Sequence, residues 1–220
     1  GISTLQYQNG RLQEIDLSRY FDNTTNIFND IYQDRYGTLW LAVGGKGVSM
    51  FSFDKPTLKN YNFKQIKSLY SIAPNLNMLY RDHLGTLWFN LERFGFGSLS
   101  PKTNQLNTYS NSNFRDLISI RAVTCATDFG QELWVGSAYE SSINVFQKTD
   151  NNIKLLRKIN LAQQIDHQGI PSFFFTDRQK RLWIATTQGL LLKKSESENM
   201  AIIPKIKDQP VAVAQDHQNH

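Results

Sequence analysis

Few side chains in this 220-residue chain have the type and spacing to do chemistry. Hydrolysis of a glycosidic bond needs two carboxylates roughly 5–10 Å apart across a pocket. Glu92 and Glu140 come nearest, because both stand in irregular loops between short apolar runs. Glu14, Glu132, Glu196 and Glu198 read as surface charges, no pair stands out, and no catalytic residue is assigned. The single cysteine, Cys125, lies in the apolar stretch Ala122–Ala126 and reads as a small buried hydrophobe with an inert thiol. The four histidines, His83, His167, His217 and His220, have no Cys or paired carboxylate to complete a zinc set, and no Asp-x-Asp pattern supports calcium. Neither a metal nor a cofactor is expected.

The richest pattern is a ring-like recurrence of carboxylates and indoles. All four tryptophans, Trp40, Trp88, Trp134 and Trp183, are separated by 48, 46 and 49 residues. Each follows a leucine, and an aspartate stands six places before it: Asp34, Asp82, Asp128 and Asp177. Such a set invites comparison with a sugar site, but a structural role explains it better. Aspartate opening a turn accepts backbone N–H bonds, and a glycine three places on, Gly37 or Gly85, supplies the left-handed conformation that closes it. Tryptophan buries a large apolar area, and its N–H is expected to find a backbone acceptor. In the Asp box of sialidases the aspartate precedes the tryptophan by five residues with threonine between, whereas here the distance is six, with leucine.

A period in the 40s built of short apolar runs predicts a stacked array of β units. In the first full unit, Ile27–Gln33 and Thr38–Val43 form a hairpin around Asp34–Gly37. Gly44–Gly47 turns the chain into a third strand, Val48–Phe53, and Asp54–Thr57 leads into a fourth, Lys59–Phe63. Repetition of such a meander predicts an all-β fold, a β-propeller of four-stranded antiparallel blades. The expected blades are 25–73, 74–119, 120–168 and 169–208. Residues 1–24 read as the end of a preceding blade and 209–220 as the start of a following one, so the chain is expected to be part of a larger propeller. A seven-bladed ring at this period would need on the order of 330 residues.

Composition fits a soluble globular segment, with 40% hydrophobic and 20% charged residues. No apolar run approaches the roughly 18 residues of a membrane span. The net charge of +5 is uneven, with ten Lys/Arg against four Asp/Glu between Lys154 and Lys207. Basic residues on the solvent faces of outer strands account for this, and no motif points to nucleic acid.

The pattern Asp-x-x-Gly-x-Leu-Trp, followed about seven residues on by Gly and an aliphatic or aromatic residue, resembles the two-component regulator propeller repeat. Asp34, Gly37, Leu39, Trp40, Gly47 and Val48 carry it in full, as do Asp82, Gly85, Leu87, Trp88, Gly95 and Phe96. The third copy has Gly130 one place early and Ser142 for the later glycine. The fourth has Lys180 at the turn glycine, so its turn is expected to take another geometry. The resemblance implies the periplasmic input region of a bacterial sensor, anchored in the membrane only through segments outside this chain. It also implies further blades and downstream signalling domains as partners, and a small molecule or oligosaccharide as ligand.

Recognition is expected in the loops that vary between units. Lys46, Arg93, Phe94, Tyr139, Glu140 and Gln188 lie between second and third strands; Tyr70, Asn75, Asn113, Arg115 and His167 lie in or near the connections from fourth strand to next first strand. Tyr139 and Phe94 have rings suited to stacking on a sugar, and Arg93, Glu140 and Gln188 have groups that bond hydroxyls. The rival classes are a protein-interaction scaffold and a propeller lyase or glycosidase.

Overall fold

The computed structural model describes the backbone of residues 3–8 and 11–16, and in full residues 27–34, 36–61, 75–92, 94–100, 103, 105–109, 122–149, 152–210, 213 and 215. The expected blade start at 209–220 lies almost wholly outside these residues. The chain divides into two compact units, 1–81 and 82–220.

The first unit opens with a hairpin, β1 (Ser3–Gln8) and β2 (Arg11–Asp16), paired antiparallel from Ser3↔Asp16 to Gln8↔Arg11. Next comes a meander of β3 (Phe28–Gln33), β4 (Leu39–Val43), β5 (Gly47–Ser52) and β6 (Thr57–Tyr61), in the order 3-4-5-6. Every residue of β4 is buried, as expected of a strand sandwiched on both faces, whereas β6 is largely exposed. Leu39, Leu41, Val43 and Phe51 form the core of this sheet, joined by Phe28 and Leu58.

A second meander consists of β7 (Leu79–Arg81), β8 (Leu87–Leu91), β9 (Gly95–Ser100) and β10 (Gln105–Tyr109), and the boundary between the units falls in its first turn. The third is β11 (Val123–Phe129), β12 (Glu132–Ser137), β13 (Ser142–Lys148) and β14 (Ile153–Asn160). The fourth is β15 (Pro171–Thr176), β16 (Leu182–Thr186), β17 (Gly189–Lys193) and the short β18 (Ala201–Ile202). These four antiparallel four-stranded sheets are blades of a β-propeller, present in part.

Successive blades are tied through their first strands. In the first unit Asn29 Nδ2 donates to Leu76 O at 2.7 Å, and Leu79 N donates to Asp30 Oδ2 at 2.6 Å. In the second, Thr124 Oγ1 donates to Pro171 O at 2.9 Å and Thr176 Oγ1 to Asp128 O at 3.0 Å. Packing between the third and fourth blades joins Cys125, Trp134, Ile143, Phe174, Ile184 and Leu191 in one buried cluster. The approach is close at Gly136, where a Cβ would lie 2.6 Å from Cys125 Sγ and 2.9 Å from Pro171 Cβ. Burial pushes the Cys125 thiol up to about 12, against weaker opposing hydrogen bonds from Thr124 and the Gly136 backbone, so it stays protonated and inert.

The repeated turn has a single construction in the first, second and fourth blades. Asp34 N bonds Thr38 O and Gly37 N bonds Asp34 O; the same pair recurs at Asp82 and at Asp177. Asp34 Oδ1 accepts from Tyr36 N and Thr38 N, Asp82 Oδ1 from Thr86 N, and Asp177 Oδ1 from Arg181 N. Two expectations are corrected here. The indole N–H meets the other oxygen of the same carboxylate rather than a backbone carbonyl, at 3.2 Å for Trp40, 3.0 Å for Trp88 and 2.9 Å for Trp183. Lys180 also does not change the turn: it adopts φ +59°, in the same left-handed region as Gly37 at +77° and Gly85 at +88°. The hydrogen-bonding of Asp177 fixes the backbone path, and the lysine accepts the strain.

The third blade is the exception. With Gly130 one place early at φ +61°, Phe129 pairs Glu132 across a two-residue turn, and Asp128 stays within β11. Trp134 Nε1 therefore bonds Glu132 Oε2 at 3.1 Å. Asp128 is released to meet His83 Nδ1 of the second blade at 2.7 Å and Lys148 Nζ of its own blade at 2.7 Å.

Candidate functional site

At the loop end of the third and fourth blades the side chains form a connected hydrogen-bonded frame. The connection from β14 to β15 contains a short helix, α1 (Leu161–Ile165), which the repeat pattern did not anticipate. Asn160 caps it, its side chain accepting from Gln163 N at 3.2 Å, and Asp166 ends it at φ +51°. The signal was present in Asn160 ahead of Leu161-Ala-Gln-Gln-Ile165, but five residues are too few for periodicity to register.

Past the helix, the chain is locked to the neighbouring loops. Ser141 Oγ reaches the carbonyls of His167 and Gly169, at 2.8 and 3.0 Å. His167 is buried, and its Nε2 lies 2.8 Å from Thr186 Oγ1, which also bonds Gly189 O at 2.9 Å and accepts from Gln188 N at 3.2 Å. Gly169 is needed, since a Cβ there would lie 2.4 Å from Thr186 Oγ1 and 2.5 Å from His167 Nε2. Burial lowers the His167 pKa, so the ring is held neutral. Thr187 and Ile170 close the frame with reciprocal bonds at 3.0 Å. Ser141 and Thr186 were missed in the sequence because both are hydroxyls in ordinary turn positions.

Of the expected site residues, Tyr139 is 61% exposed on this frame, with its N–H 3.3 Å from Ser137 Oγ. Gln188 is exposed in the loop between second and third strands of the next blade, and its backbone N–H bonds Thr186 Oγ1. Glu140 points elsewhere: it pairs with Lys158 of β14 and accepts from Ser142 Oγ at 2.9 Å. Burial opposes its ionisation, but the bonds from Lys158 and Ser142 outweigh that and hold its carboxyl below the usual range. Phe94 is half-buried in the tight turn closed by its N–H to Leu91 O at 2.8 Å. Lys46, in the first unit, is exposed in the Gly44–Lys46 turn, and Asn75 is exposed ahead of β7. Arg93, Tyr70, Asn113 and Arg115 lie outside the described residues.

At the side of the third blade, Arg157 and Glu132 form a two-pronged ion pair with one contact at 2.7 Å, and the guanidinium sits 5.9 Å from the Trp134 ring. The hydrogen bond from Arg157 is the main reason Glu132 stays below its ordinary pKa. Lys193 faces the same indole from the fourth blade at 6.0 Å, and its ammonium is bound by the carbonyls of Glu196 and Glu198 at 3.1 and 2.5 Å. These charges satisfy one another around a cleft of about 430 Å³. Among the described residues no three His, Cys, Asp or Glu side chains gather to hold a metal, and no helix is long and apolar enough to cross a membrane.

Residues 22–45, spanning the first strand, Asp34 turn and Trp40 strand of the first full blade, match the model of the two component regulator propeller. One copy of the repeat, at residues 22–45, is thus similar to that family. Solved structures share the fold over most of its length. The extracellular domain assigned to hybrid two component system BT4673 of B. thetaiotaomicron superposes with a TM-score of 0.69 at 18% identity, over 98% of this chain and 29% of that one. That of BT3049 from the same organism gives 0.66 at 16%, over 93% and 27%. Virginiamycin B lyase from Staphylococcus aureus gives 0.64 at 16%, over 84% and 58%. At such identities the likeness establishes the fold, and this chain spans less than a third of the two extracellular domains. Among curated proteins, none matches the chain by sequence.

Proposed function

We propose that this chain is a non-enzymatic segment of a periplasmic sensor of the two-component type, and that its loop end contributes to binding a small ligand, of which an oligosaccharide is the best fit. The observation that carries the reading is Tyr139, a large aromatic ring 61% exposed on a loop that Ser141 fixes to the adjoining connection. A rigid, amphipathic ring on a pre-ordered frame stacks on a sugar face with little loss of conformational freedom. Gln188 supplies an amide that both donates and accepts. The non-enzymatic part of the reading is supported by Glu140, whose carboxylate is engaged by Lys158 and Ser142 and held ionised, the wrong state for a general acid. Signalling then follows from differential affinity: ligand bound across blades favours one arrangement of the propeller relative to the domains beyond it.

Thermal-shift and calorimetric titration of the complete ectodomain with mono- and oligosaccharides tests this. Binding that is lost in Tyr139→Ala and weakened in Gln188→Ala, with melting of the free protein unchanged, supports the reading. Absence of binding by any glycan, or turnover of one, refutes it.

A further inference from the structure

The row of side chains that crosses each sheet at its tryptophan differs between blades. It reads Trp40–Met50–Lys59 in the first, Trp134–Val145–Arg157 in the third and Trp183–Leu192–Ala201 in the fourth. In the second it is Trp88–Ser98–Asn107, and the next pair towards the hairpin turns is Ser100↔Gln105. Strand alternation puts these residues on one face of the sheet. Short polar groups therefore stand where other blades carry aliphatic or long basic ones. The space they leave is a cavity of about 270 Å³, closed on its far side by Lys148, Thr149 and Asn152 of the third blade.

The chemistry of this cavity is specific. Its inner wall is aromatic, Trp88 and Tyr109 being stacked with centroids 5.9 Å apart and planes at 27°. The one cation among its described lining residues, Lys148, is 5% exposed and lies between Asp82 Oδ2 at 3.2 Å and Asp128 Oδ1 at 2.7 Å. Two carboxylates facing one ammonium leave no surplus positive charge to attract an anion. An ammonium has three donors, and the third has no acceptor among the described residues. The Thr86 and Ser100 hydroxyls and the Asn152 Nδ2 are likewise without a bond among the described residues. At roughly 30 Å³ per water the volume holds on the order of nine waters, and it sits at the small end of ligand pockets, which start near about 300 Å³.

We propose that this cavity is a binding site for a neutral polyhydroxylated ring, one monosaccharide unit in size. Hydroxyl and primary amide groups both donate and accept, which matches ligand hydroxyls that do the same, and the indole–phenol wall suits the C–H face of a ring. The site lies at the hairpin-turn end of the second blade and is independent of the Tyr139 loop.

The four indole N–H groups give four separate signals in a nitrogen-15 correlation spectrum, and that of Trp88 reports directly, since its partner Asp82 lines the cavity. Glucose, galactose, mannose and N-acetylglucosamine are titrated in turn to tens of millimolar. The expected result is a saturable shift of the Trp88 signal with at least one of them while those of Trp40, Trp134 and Trp183 stay in place. Ser98→Met, which copies Met50, fills the cavity and abolishes the shift. If that variant does not fold, Asn107→Lys, which copies Lys59, fills it from the other side. Tyr139→Ala leaves the Trp88 response intact, so failure here and failure of the loop site are told apart. No Trp88 shift with any of the four sugars, a shift that survives filling, or one produced only by inorganic phosphate overturns the proposal.

Discussion

Trp183 Nε1 donates to Asp177 Oδ2 at 2.9 Å, across a turn in which Lys180 is held at φ +59°. One carboxylate thus serves the turn with one oxygen and the indole with the other, Arg181 Nε adding a contact at 2.6 Å. Burial disfavours the charge on Asp177, but the bonds from Trp183 and Arg181 outweigh it and hold its carboxyl below the ordinary range. Turn and strand are fixed by the same ion.

The strain at Lys180 is removable. A left-handed conformation costs a residue with a Cβ roughly 1–2 kcal/mol, and glycine escapes most of this at some expense in chain entropy. Lys180→Gly is therefore expected to stabilise the chain by about 0.5–1 kcal/mol, read as a higher denaturant midpoint with an unchanged slope.

Asp82, with its side chain 1% exposed, meets Thr86 N, Trp88 Nε1 and Lys148 Nζ. Asp82→Ala leaves a buried ammonium one carboxylate short and an indole N–H without an acceptor. A loss of about 3–5 kcal/mol is expected on the scale of broken buried ion pairs, measurable by chemical denaturation.

Gly136→Ala places a methyl against Cys125 Sγ, Pro171 Cβ and, at 3.2 Å, Phe174 Cζ. Overpacking of this kind costs about 1–3 kcal/mol. The double variant Gly136→Ala with Cys125→Ala should recover part of the loss, because removing the sulfur relieves the nearest contact.

His167 gives a pH signature. Its folded pKa lies below the ordinary 6.5 because burial disfavours the cation, so the unfolded chain takes up the proton first. Its contribution to stability is complete above the unfolded value and is lost as pH falls from there through the folded value. Melting temperature should decline between about pH 7 and pH 5. His167→Gln, which keeps a partner for Thr186, should flatten that decline.

The sequence made the blades legible because each is defined by local signals: an aspartate turn, an apolar strand and a glycine turn at a repeated spacing. It misplaced the indole's partner because an acceptor six residues away across a hairpin is invisible without the register that Tyr32↔Trp40 sets. It misread Lys180 because propensity favours glycine at positive φ, whereas Asp177 imposes the path whatever residue occupies it. The hydrogen-bonded frame around His167 depends on Ser141 and Thr186, 26 and 19 residues away in the chain, and no spacing rule announces such contacts. The cavity of the second blade was written in Ser98 and Asn107, but only cross-strand pairing turns two ordinary polar residues into one wall.

The threonine bonds between first strands, Thr124 to Pro171 O and Thr176 to Asp128 O, act between adjacent blades only. Such an array resists disruption as a chain of links does, with each joint as strong as its own few contacts. Amide hydrogen exchange should therefore map seams: protection falling blade by blade from an end, with the Thr124–Thr176 joint opening as one step and releasing the fourth blade while the third remains closed.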